Sequence, residues 1–357
     1  MAPVEALDVF CGAGGLSLGL EAAGISVVAG VELDPDAAGT WAALHPGSEL
    51  LQRDAGKVQW RRFDGIDLVV GGPPCQPWST GGLRRGEEDG RDGWPAFLSA
   101  LSCLRPQAFV AENVAGLAEG SMRARWQALH ERLVALGYTV TAKVVNAADY
   151  GVPQKRRRLI VVGMRGRERF SFPPPSHGPG RSKTWRPAGT VVRAEPLGEP
   201  NRSPVRYAAR PDLRKDPYAG HLYNGGGRPI NLTAPAPTLL ASMGGNKTPW
   251  LDTEGVVPGY HSHLRAGGEP RSGTVHGARR ITAEEAALLQ SFPRWMCFAG
   301  PRSSRYRQVG NAVPPRLAEA LGRALLQHLG VIDVEAKAAG GVAAPTSDTQ
   351  GPGTLAG

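Results

Sequence analysis

The chain has 357 residues, of which 41% are hydrophobic and 20% charged, and its formal net charge is +9. This length predicts two domains or one large domain with an insertion, and the apolar content excludes an intrinsically disordered chain. No apolar run approaches the roughly 18–20 residues of a membrane-spanning helix, and the N-terminus lacks the basic start and cleavage site of a signal peptide. We therefore expect a soluble, cytoplasmic protein without a membrane partner.

The first third of the chain alternates short apolar runs with segments of helical periodicity. The predicted strands are 6–10, 27–32, 67–71, 108–112, 140–146 and 159–163. The predicted helices include 16–23 and 126–136. This alternation predicts an α/β fold with a mostly parallel sheet and helices on both faces. Functional residues of such sheets gather at the carboxyl ends of the strands.

The pattern changes near residue 170, where proline and glycine begin to punctuate short irregular segments. Regular structure returns near residue 281, because Thr282 and Glu285 have the spacing of a helix capping box. A last amphipathic helix is predicted over 315–329. We therefore predict a main domain in two parts, 1–169 and 279–333, a smaller loop-rich domain over 170–278, and a disordered tail over 334–357.

Basic residues are concentrated in the middle of the chain. Residues 151–230 contain 17 basic and 5 acidic side chains, whereas residues 1–150 contain 12 basic and 18 acidic ones. A segment this basic is expected of a protein that binds a polyanion such as nucleic acid. A solvated basic face has the same composition, so charge alone leaves both interpretations open.

A glycine-rich turn, Asp8-Val-Phe-Cys-Gly-Ala-Gly-Gly15, follows the first predicted strand. Such a turn lets backbone N–H groups approach a ligand, and Glu32 ends the next strand, where a carboxylate can hold a ribose. The spacing Gly12-x-Gly14 is not a complete dinucleotide fingerprint. An ordinary strand-to-helix turn is therefore the alternative, and no phosphate-binding P-loop sequence is present.

The sequence Gly71-Gly-Pro-Pro-Cys-Gln-Pro-Trp-Ser79 surrounds one cysteine with rigid and glycine-rich backbone. This setting predicts that Cys75 is a catalytic thiol at the carboxyl edge of the sheet. The other cysteines, Cys11, Cys103 and Cys297, are expected to be small core residues. Because no CxxC pair occurs, the sequence predicts neither a zinc site nor a disulfide scaffold.

Two polar motifs border the next predicted strands. Glu112 ends the 108–112 strand and should lie on the same edge as Cys75, although a carboxylate that simply faces water is the alternative. Gln154-Lys-Arg-Arg-Arg158 precedes the 159–163 strand, and a solvated basic turn is its alternative.

Together these motifs resemble those of the bacterial cytosine-C5 DNA methyltransferases, over residues 5–165 and about 279–330. Further matches are Arg279-Arg-Ile-Thr282, Gln290-Ser-Phe-Pro293 and Gln308-Val-Gly-Asn-Ala-Val-Pro-Pro315. Cys11 and Arg53 replace the more usual alanine and glycine, and neither takes part in the reaction. The resemblance implies a Rossmann-like, S-adenosylmethionine-dependent methyltransferase sheet and makes 170–278 a target-recognition domain.

The implied reaction transfers a methyl group from S-adenosylmethionine to C5 of a cytosine flipped out of a specific double-stranded DNA sequence. In this family's mechanism the Cys75 thiolate adds to C6. Glu112 acts at N3 and Arg158 at O2, while Arg156 or Arg158 favours the thiolate. The sequence does not identify the base that removes the C5 proton.

The resemblance also implies a methyl-donor pocket, in which Phe10 stacks on adenine, Glu32 holds the ribose and Asp54 holds the adenine amino group. The residues implied for this pocket are Phe10, Gly12, Gly14, Glu32, Asp54, Pro74 and Asn311. No metal is implied. The loop over residues 80–93 is expected to cover the flipped cytosine.

Two other functions stay open on the sequence: methylation of tRNA by the same catalytic motifs, and DNA binding by an inactive homologue. The long 170–278 segment favours DNA, and the presence of Cys75, Glu112, Arg158 and Asn311 disfavours an inactive protein. The implied setting is a monomer associated with the nucleoid in a bacterial cytoplasm, which either stands alone or has a cognate restriction endonuclease that acts separately.

Overall fold

The computed structural model describes residues 3–74, 92–166, 168–224 and 227–330. Its main element is a seven-stranded sheet. The strands are β1 (Glu5–Val9), β2 (Ser26–Glu32), β3 (Glu49–Gln52), β4 (Leu68–Gly71), β5 (Ala108–Val114), β6 (Tyr138–Asn146) and β7 (Arg157–Arg165). Their order in the sheet is β3-β2-β1-β4-β5-β7-β6. Only β7 pairs antiparallel with its neighbours in this sheet, which confirms the predicted, mostly parallel α/β fold.

Helices cover both faces of this sheet. Those of the first part are α1 (Gly15–Ala23), α2 (Pro35–Leu44), α3 (Trp94–Leu104) and α4 (Arg123–Ala135). Because successive strand residues face opposite sides, Leu68 and Val70 belong to one apolar layer and Val69 to the other. The first layer includes the apolar sides of α1 and of a helix over Pro315–His328. The second layer includes the apolar sides of α3 and α4.

The loop-rich part has two small sheets. Its elements are β8 (Tyr207–Asp212), β9 (His221–Tyr223), β10 (Pro229–Ile230), β11 (Trp250–Asp252), α5 (Val256–Arg265) and β12 (Ala278–Arg280). A separate cluster of buried residues, the aromatic core, is centred here. Its members are Val205, Leu222, Tyr223, Trp250, Val257, Tyr260 and Val275. The sheet β10-β11-β12 extends to Arg280, just beyond the predicted boundary at residue 278, and the domain limits stay a prediction.

The chain returns to the main sheet through three helices, α6 (Ala283–Leu289), α7 (Arg302–Asn311) and α8 (Pro315–His328). Thr282 and Glu285 form the predicted capping box at the start of α6. Within the described ranges, no helix combines the length and apolar character needed to cross a membrane.

Three features differ from the sequence predictions. Strand β3 was not predicted, because only two apolar residues lie within this short strand at the edge of the sheet. Cys103 and Cys297 are exposed, so their predicted core positions are wrong, whereas Cys11 is buried as expected. Cys103 lies between Leu101 and Leu104 on α3, and its position on the helix turns it away from the buried side.

Helices α1 and α8 approach each other very closely. A β-carbon on Gly15 would lie 2.3 Å from the Val313 carbonyl oxygen, and one on Gly19 would lie 2.3 Å from that of Pro315. The same atom on Gly19 would also lie 2.4 Å from the Ala318 β-carbon. No residue larger than glycine fits at either position without a shift of backbone.

We therefore expect Gly19→Ala to lower the free energy of unfolding by about 1–3 kcal/mol, as overpacking typically does. The matched control is Gly39→Ala in α2, whose β-carbon would lie at an ordinary 3.6 Å from that of Ala299. The control should be neutral or stabilising by up to about 1 kcal/mol, because alanine favours helices. Urea unfolding of both variants measures the difference. Equal stability of the two would contradict the close packing.

Candidate active site

Of the predicted functional residues that the structure describes, Phe10, Glu32, Glu112 and Arg158 lie at strand ends along one edge of the seven-stranded sheet. Strands β1 to β6 all run in the same direction, so their carboxyl ends meet at this edge. Strand β7 runs the opposite way, and its amino end therefore lies there too. We call this border the carboxyl edge.

Glu32 organises the glycine-rich turn after β1. Its Oε2 accepts a hydrogen bond of 2.9 Å from the Gly12 backbone N–H, and its Oε1 accepts two of 2.8 Å from the N–H groups of Leu33 and Asp34. Burial raises the pKa of Glu32, and these backbone hydrogen bonds oppose that rise. The carboxylate thus ties the end of β2 to the turn after β1.

The turn leaves room for a ligand at Gly12. Gly12 has a φ of 55° and Gly14 a φ of 82°, in the left-handed region that favours glycine. A β-carbon on Gly12 would meet no other atom within 4 Å. The open space beside the half-buried Glu32 carboxylate and the backbone of the turn suits the nucleoside part of S-adenosylmethionine, which the family resemblance implies here.

Phe10 and Pro74 come together at the same edge. Phe10 has a φ of 63°, unusual for a residue with a side chain. The Gly93 N–H donates a 2.9 Å hydrogen bond to the Pro74 carbonyl oxygen. A β-carbon on Gly93 would lie 2.4 Å from Pro74 Cδ and 2.9 Å from Phe10 Cζ. The structure therefore gathers two of the predicted pocket residues around one glycine.

Asp54 and Asn311 reach this edge from other elements. Asp54 is exposed and follows Gln52, the β3 residue that pairs in register with Glu32, by two positions. The Oδ1 atom of Asp54 accepts a 2.9 Å hydrogen bond from the Gly56 N–H. Asn311 is exposed at the end of α7, just before the segment that packs on Gly15. Between described residues, no hydrogen bond joins either side chain to Phe10 or Glu32.

Glu112 and Arg158 form an ion pair at the end of β5. Arg158 Nε lies 2.8 Å from Glu112 Oε1, and both side chains are largely buried. A β-carbon on Gly72 would lie 3.9 Å from Glu112 Oε2, so the second oxygen faces the chain that leads to Pro74. Cys75 and most of the predicted cover, residues 80–93, lie outside the described residues.

Asn113 follows Glu112 on β5 and was not among the predicted site residues. Its side-chain amide donates a 2.9 Å hydrogen bond to the Pro73 carbonyl oxygen. The contact holds the start of the segment before Cys75 against the end of β5. The sequence Glu112-Asn-Val114 at a strand end could have drawn attention to Asn113. Its partner Pro73, however, lies 40 residues away in the chain, so the contact itself leaves no local pattern.

Arg156 has a different setting from Arg158. It is 1% exposed, and its guanidinium donates to the carbonyl oxygens of Leu239 at 3.2 Å and Gly310 at 3.0 Å. Burial lowers the pKa of Arg156 to about 9, and the positive charge of Arg158 adds to this. Gln154 supports the same segment, because its Oε1 accepts the Leu239 N–H at 3.2 Å. These contacts describe a positioning residue, and a direct role of Arg156 in the reaction stays a prediction.

A buried network behind the glycine-rich turn was not found from the sequence. Asp8 Oδ2 accepts a 2.6 Å hydrogen bond from Ser17, whose hydroxyl oxygen accepts one of 2.9 Å from Trp41 Nε1. In the described part of the chain, Asp8 Oδ1 has no hydrogen-bond partner. Burial raises the pKa of Asp8 to about 7 and raises that of Cys11 well above its ordinary value. A buried, protonated Cys11 is unsuited to nucleophilic attack.

Of the residues described, no group of three or more histidine, cysteine or carboxylate side chains is placed to hold a metal ion. The site therefore consists of a carboxylate-braced turn, an acid–arginine pair and the segment that leads to a cysteine.

The raised pKa of Asp8 predicts a pH dependence of stability. In the unfolded chain this carboxyl has its ordinary pKa of 3.8, whereas burial raises its pKa to about 7 in the folded protein. Between these values the unfolded state binds fewer protons, so stability falls by roughly 1.4 kcal/mol per pH unit from this group and then levels off. Asp8→Asn should remove this fall while keeping an acceptor for Ser17.

The measurement is urea unfolding of wild type and Asp8→Asn between pH 4 and 8. The difference in their unfolding free energies should grow in favour of the variant up to about pH 7. Parallel pH profiles for the two proteins would show that Asp8 is ionised in the folded state.

The sequence model of the family described as C-5 cytosine-specific DNA methylase matches residues 4–193 and 233–327. Among similar curated proteins, Type II methyltransferase M.AplI of Arthrospira platensis is 32% identical, over 90% of this chain and 86% of its own length. Type II methyltransferase M.XorII of Xanthomonas oryzae pv. oryzae is 33% identical, over 90% and 84%.

Solved structures share the fold. A putative DNA modification methyltransferase encoded within a prophage of E. coli superposes with a TM-score of 0.65 at 22% identity, covering 92% of this chain and 99% of that one. Spodoptera frugiperda DNMT2 gives a TM-score of 0.66 at 16% identity, covering 90% and 99%. Because the family model matches most of its length, this chain belongs to the C-5 cytosine-specific DNA methylases.

Proposed function

We propose that this protein is a type II methyltransferase that methylates C5 of one cytosine in a specific duplex DNA sequence. The observation that carries the proposal is the Glu112–Arg158 pair, held 2.8 Å apart beside the segment that leads to Cys75. An acid and a fixed guanidinium at that position suit a base with a ring nitrogen and a carbonyl oxygen. The type II relatives support a restriction–modification setting.

Cytosine C5 is a weak nucleophile until a group adds at C6. In the proposed mechanism the Cys75 thiolate forms the S–C6 bond, and the displaced electron pair moves toward N3 and O2. Glu112 holds a proton at N3 and Arg158 donates to O2, which makes C5 electron-rich. After methylation, loss of the C5 proton to a base re-forms the double bond and expels the thiolate.

S-adenosylmethionine, when bound, supplies the electrophilic methyl group that C5 takes up. In our proposal Glu32 binds the ribose, Phe10 packs on the adenine and Asp54 binds its amino group. Gly12 and Gly14 admit the ligand, while Pro74 and Asn311 border the pocket. No metal takes part in the proposed reaction.

We propose further that residues 170–278 read the DNA sequence and that the protein acts as a monomer, separately from a partner endonuclease. The family match omits residues 194–232, which is consistent with a segment that varies between enzymes of different specificity. The proposed location is the bacterial cytoplasm, bound to the nucleoid.

Replacement of the proposed nucleophile gives the first test. Cys75→Ser should lower methyl transfer to cognate DNA by at least about 10³-fold, because a hydroxyl is a far weaker nucleophile than a thiolate. DNA with 5-fluorocytosine at the target should trap the wild-type enzyme covalently, since fluorine cannot leave as a proton. The two measurements are the transfer of a labelled methyl group to DNA and the amount of protein–DNA complex that survives denaturation.

Cys103→Ser is the matched control, because Cys103 is an exposed thiol on α3 and should be replaceable without loss. Substantial turnover by Cys75→Ser, or no adduct with cognate DNA, would contradict the mechanism. Incorporation into tRNA but not DNA would overturn the proposed substrate.

Arg156→Lys tests the positioning role. Lysine cannot span the carbonyl oxygens of both Leu239 and Gly310, so a buried acceptor loses its partner at a cost of about 1–3 kcal/mol in stability. We expect a lower unfolding free energy and a higher KM for DNA, with a smaller change in kcat. The matched control is Arg157→Lys, whose exposed side chain pairs with Glu119 at 3.4 Å and should change neither quantity.

A variant with wild-type stability and KM but a lost kcat would instead assign Arg156 to the chemical step. Unfolding curves and steady-state kinetics on the two arginine variants separate these outcomes.

A further inference from the structure

A cluster of basic side chains, comprising two lysines, two arginines and one histidine, lies beyond the Glu112–Arg158 pair, on the β6 side of the carboxyl edge. It consists of Lys155, His177, Lys183, Arg186 and Arg316, and we call it the basic patch. Lys155, Lys183 and Arg316 are exposed, whereas His177 and Arg186 are half-buried. Across the described ranges, no carboxylate forms an ion pair with any of these side chains.

A compact loop builds one side of the patch. The Gly178 N–H donates to the Lys183 carbonyl oxygen at 2.8 Å, and Trp185 packs against Gly178. Trp185 Nε1 donates a 2.9 Å hydrogen bond to Asp149 Oδ1, which is the carboxylate that contacts this loop. Lys155 Nζ lies 5.1 Å from the centre of the Trp185 ring. The aromatic ring thereby holds a cation from the neighbouring segment in place.

The charges of the patch are close enough to act on one another. Burial, followed by the charges of Lys183, Arg316 and Arg186, lowers the pKa of His177. Burial and the charge of Arg316 also lower the pKa of Arg186. Like charges gathered without acidic partners repel each other, so the arrangement is stabilised when an anion binds between them.

The patch shares its edge with the active site. Gly151 follows β6 through the short helix Ala147–Tyr150, and a β-carbon there would lie 2.8 Å from His177 Cε1. Lys155 comes just before β7, whose amino end lies at the carboxyl edge. Arg316 is in the first turn of α8, which starts beside Gly15. His177, Lys155 and Arg316 therefore lie along the edge that carries Glu112 and Arg158.

We infer that the basic patch binds backbone phosphates of duplex DNA that extends past the target base. The inference rests on the proposed function for its partner. It adds a phosphate-binding surface that joins Lys155 and Arg316 of the main domain to residues at the start of the segment proposed to read sequence. Three exposed cations and a half-buried arginine suit phosphates, which lie at regular spacing on the duplex and are contacted without regard to sequence. Binding here secures the duplex next to the site while the base is flipped.

The test measures how salt affects binding to a fluorescein-labelled duplex of arbitrary sequence. Each phosphate contact contributes about 0.9 to the slope of log affinity against log salt, so two lost contacts change the affinity ratio between about 50 and 200 mM salt by about twelvefold. Lys183→Ala/Arg316→Ala should bind more weakly and show this smaller salt dependence. The charge-preserving pair Lys183→Arg/Arg316→Lys should behave as wild type.

The matched control is Arg61→Ala/Arg132→Ala, which removes the same charge from two exposed positions. Arg61 lies in the turn before β4 and Arg132 in the last turn of α4 before β6, so both are at the opposite edge of the sheet. The control should keep the wild-type salt dependence. The inference would be overturned if both alanine pairs lost the same amount of duplex affinity and salt dependence, or if the patch variant lost neither.

Methyl transfer to cognate DNA by wild type is measured alongside. If wild type does not methylate DNA while the patch variant still shows the smaller salt dependence, the proposed function is wrong and the inference that the basic patch binds DNA phosphates is retained. If wild type methylates DNA and the patch variant binds the duplex like wild type, the inference fails alone. A patch variant that loses affinity for a structured RNA but not for the duplex would also overturn it.

Discussion

Helices α1 and α8 pack with their backbones almost in contact, because Gly15 and Gly19 present no side chain to the start of α8. This contact brings α8, the last helix in the described ranges, back beside the helix that follows the first strand. It sets Asn311 near the Gly12 turn, and a 2.6 Å hydrogen bond from Thr40 to Gln308 joins α2 to α7. The part of the edge that we propose binds the methyl donor is thus bordered by elements from the first 50 residues and by the last helices that the structure describes. The residues between these elements leave the main domain after β7 and return to it at α6, so the loop-rich part is attached to the main domain at both of its ends.

Two buried arginines contact the loop-rich part through backbone carbonyl oxygens, in addition to its apolar contacts. Arg156 binds the carbonyl oxygens of Leu239 and Gly310, and Arg280 donates to those of Ser203 at 3.1 Å and Pro204 at 3.0 Å. Removing a guanidinium from water is costly, and carbonyl dipoles repay less of that cost than a carboxylate does. What such contacts add is a defined geometry, because the planar donors accept few arrangements of the chain around them.

The sequence was informative where local pattern and chemistry coincide. Apolar runs that end at glycine or a carboxylate located six of the seven strands of the main sheet, and the Thr282–Glu285 spacing located a helix start. The motifs placed Glu112 and Glu32 on one edge. Sequence could not show that β7 runs antiparallel, that Arg156 contacts residues far along the chain, or that Asp8 is buried with an unpartnered oxygen. Each depends on tertiary contacts between distant segments, which leave no local periodicity.

The aromatic core of the loop-rich part contains none of the residues that pack under the main sheet. Substitutions around Tyr223, Trp250 and Tyr260 are therefore expected to act first on the loop-rich part. Leu251, the neighbour of Trp250, instead belongs to a third buried cluster that also contains Ala13 and Ala312. The loop-rich part is thus coupled to the main domain through this third cluster, whereas the aromatic core has room to vary without direct contact with the layers under the main sheet.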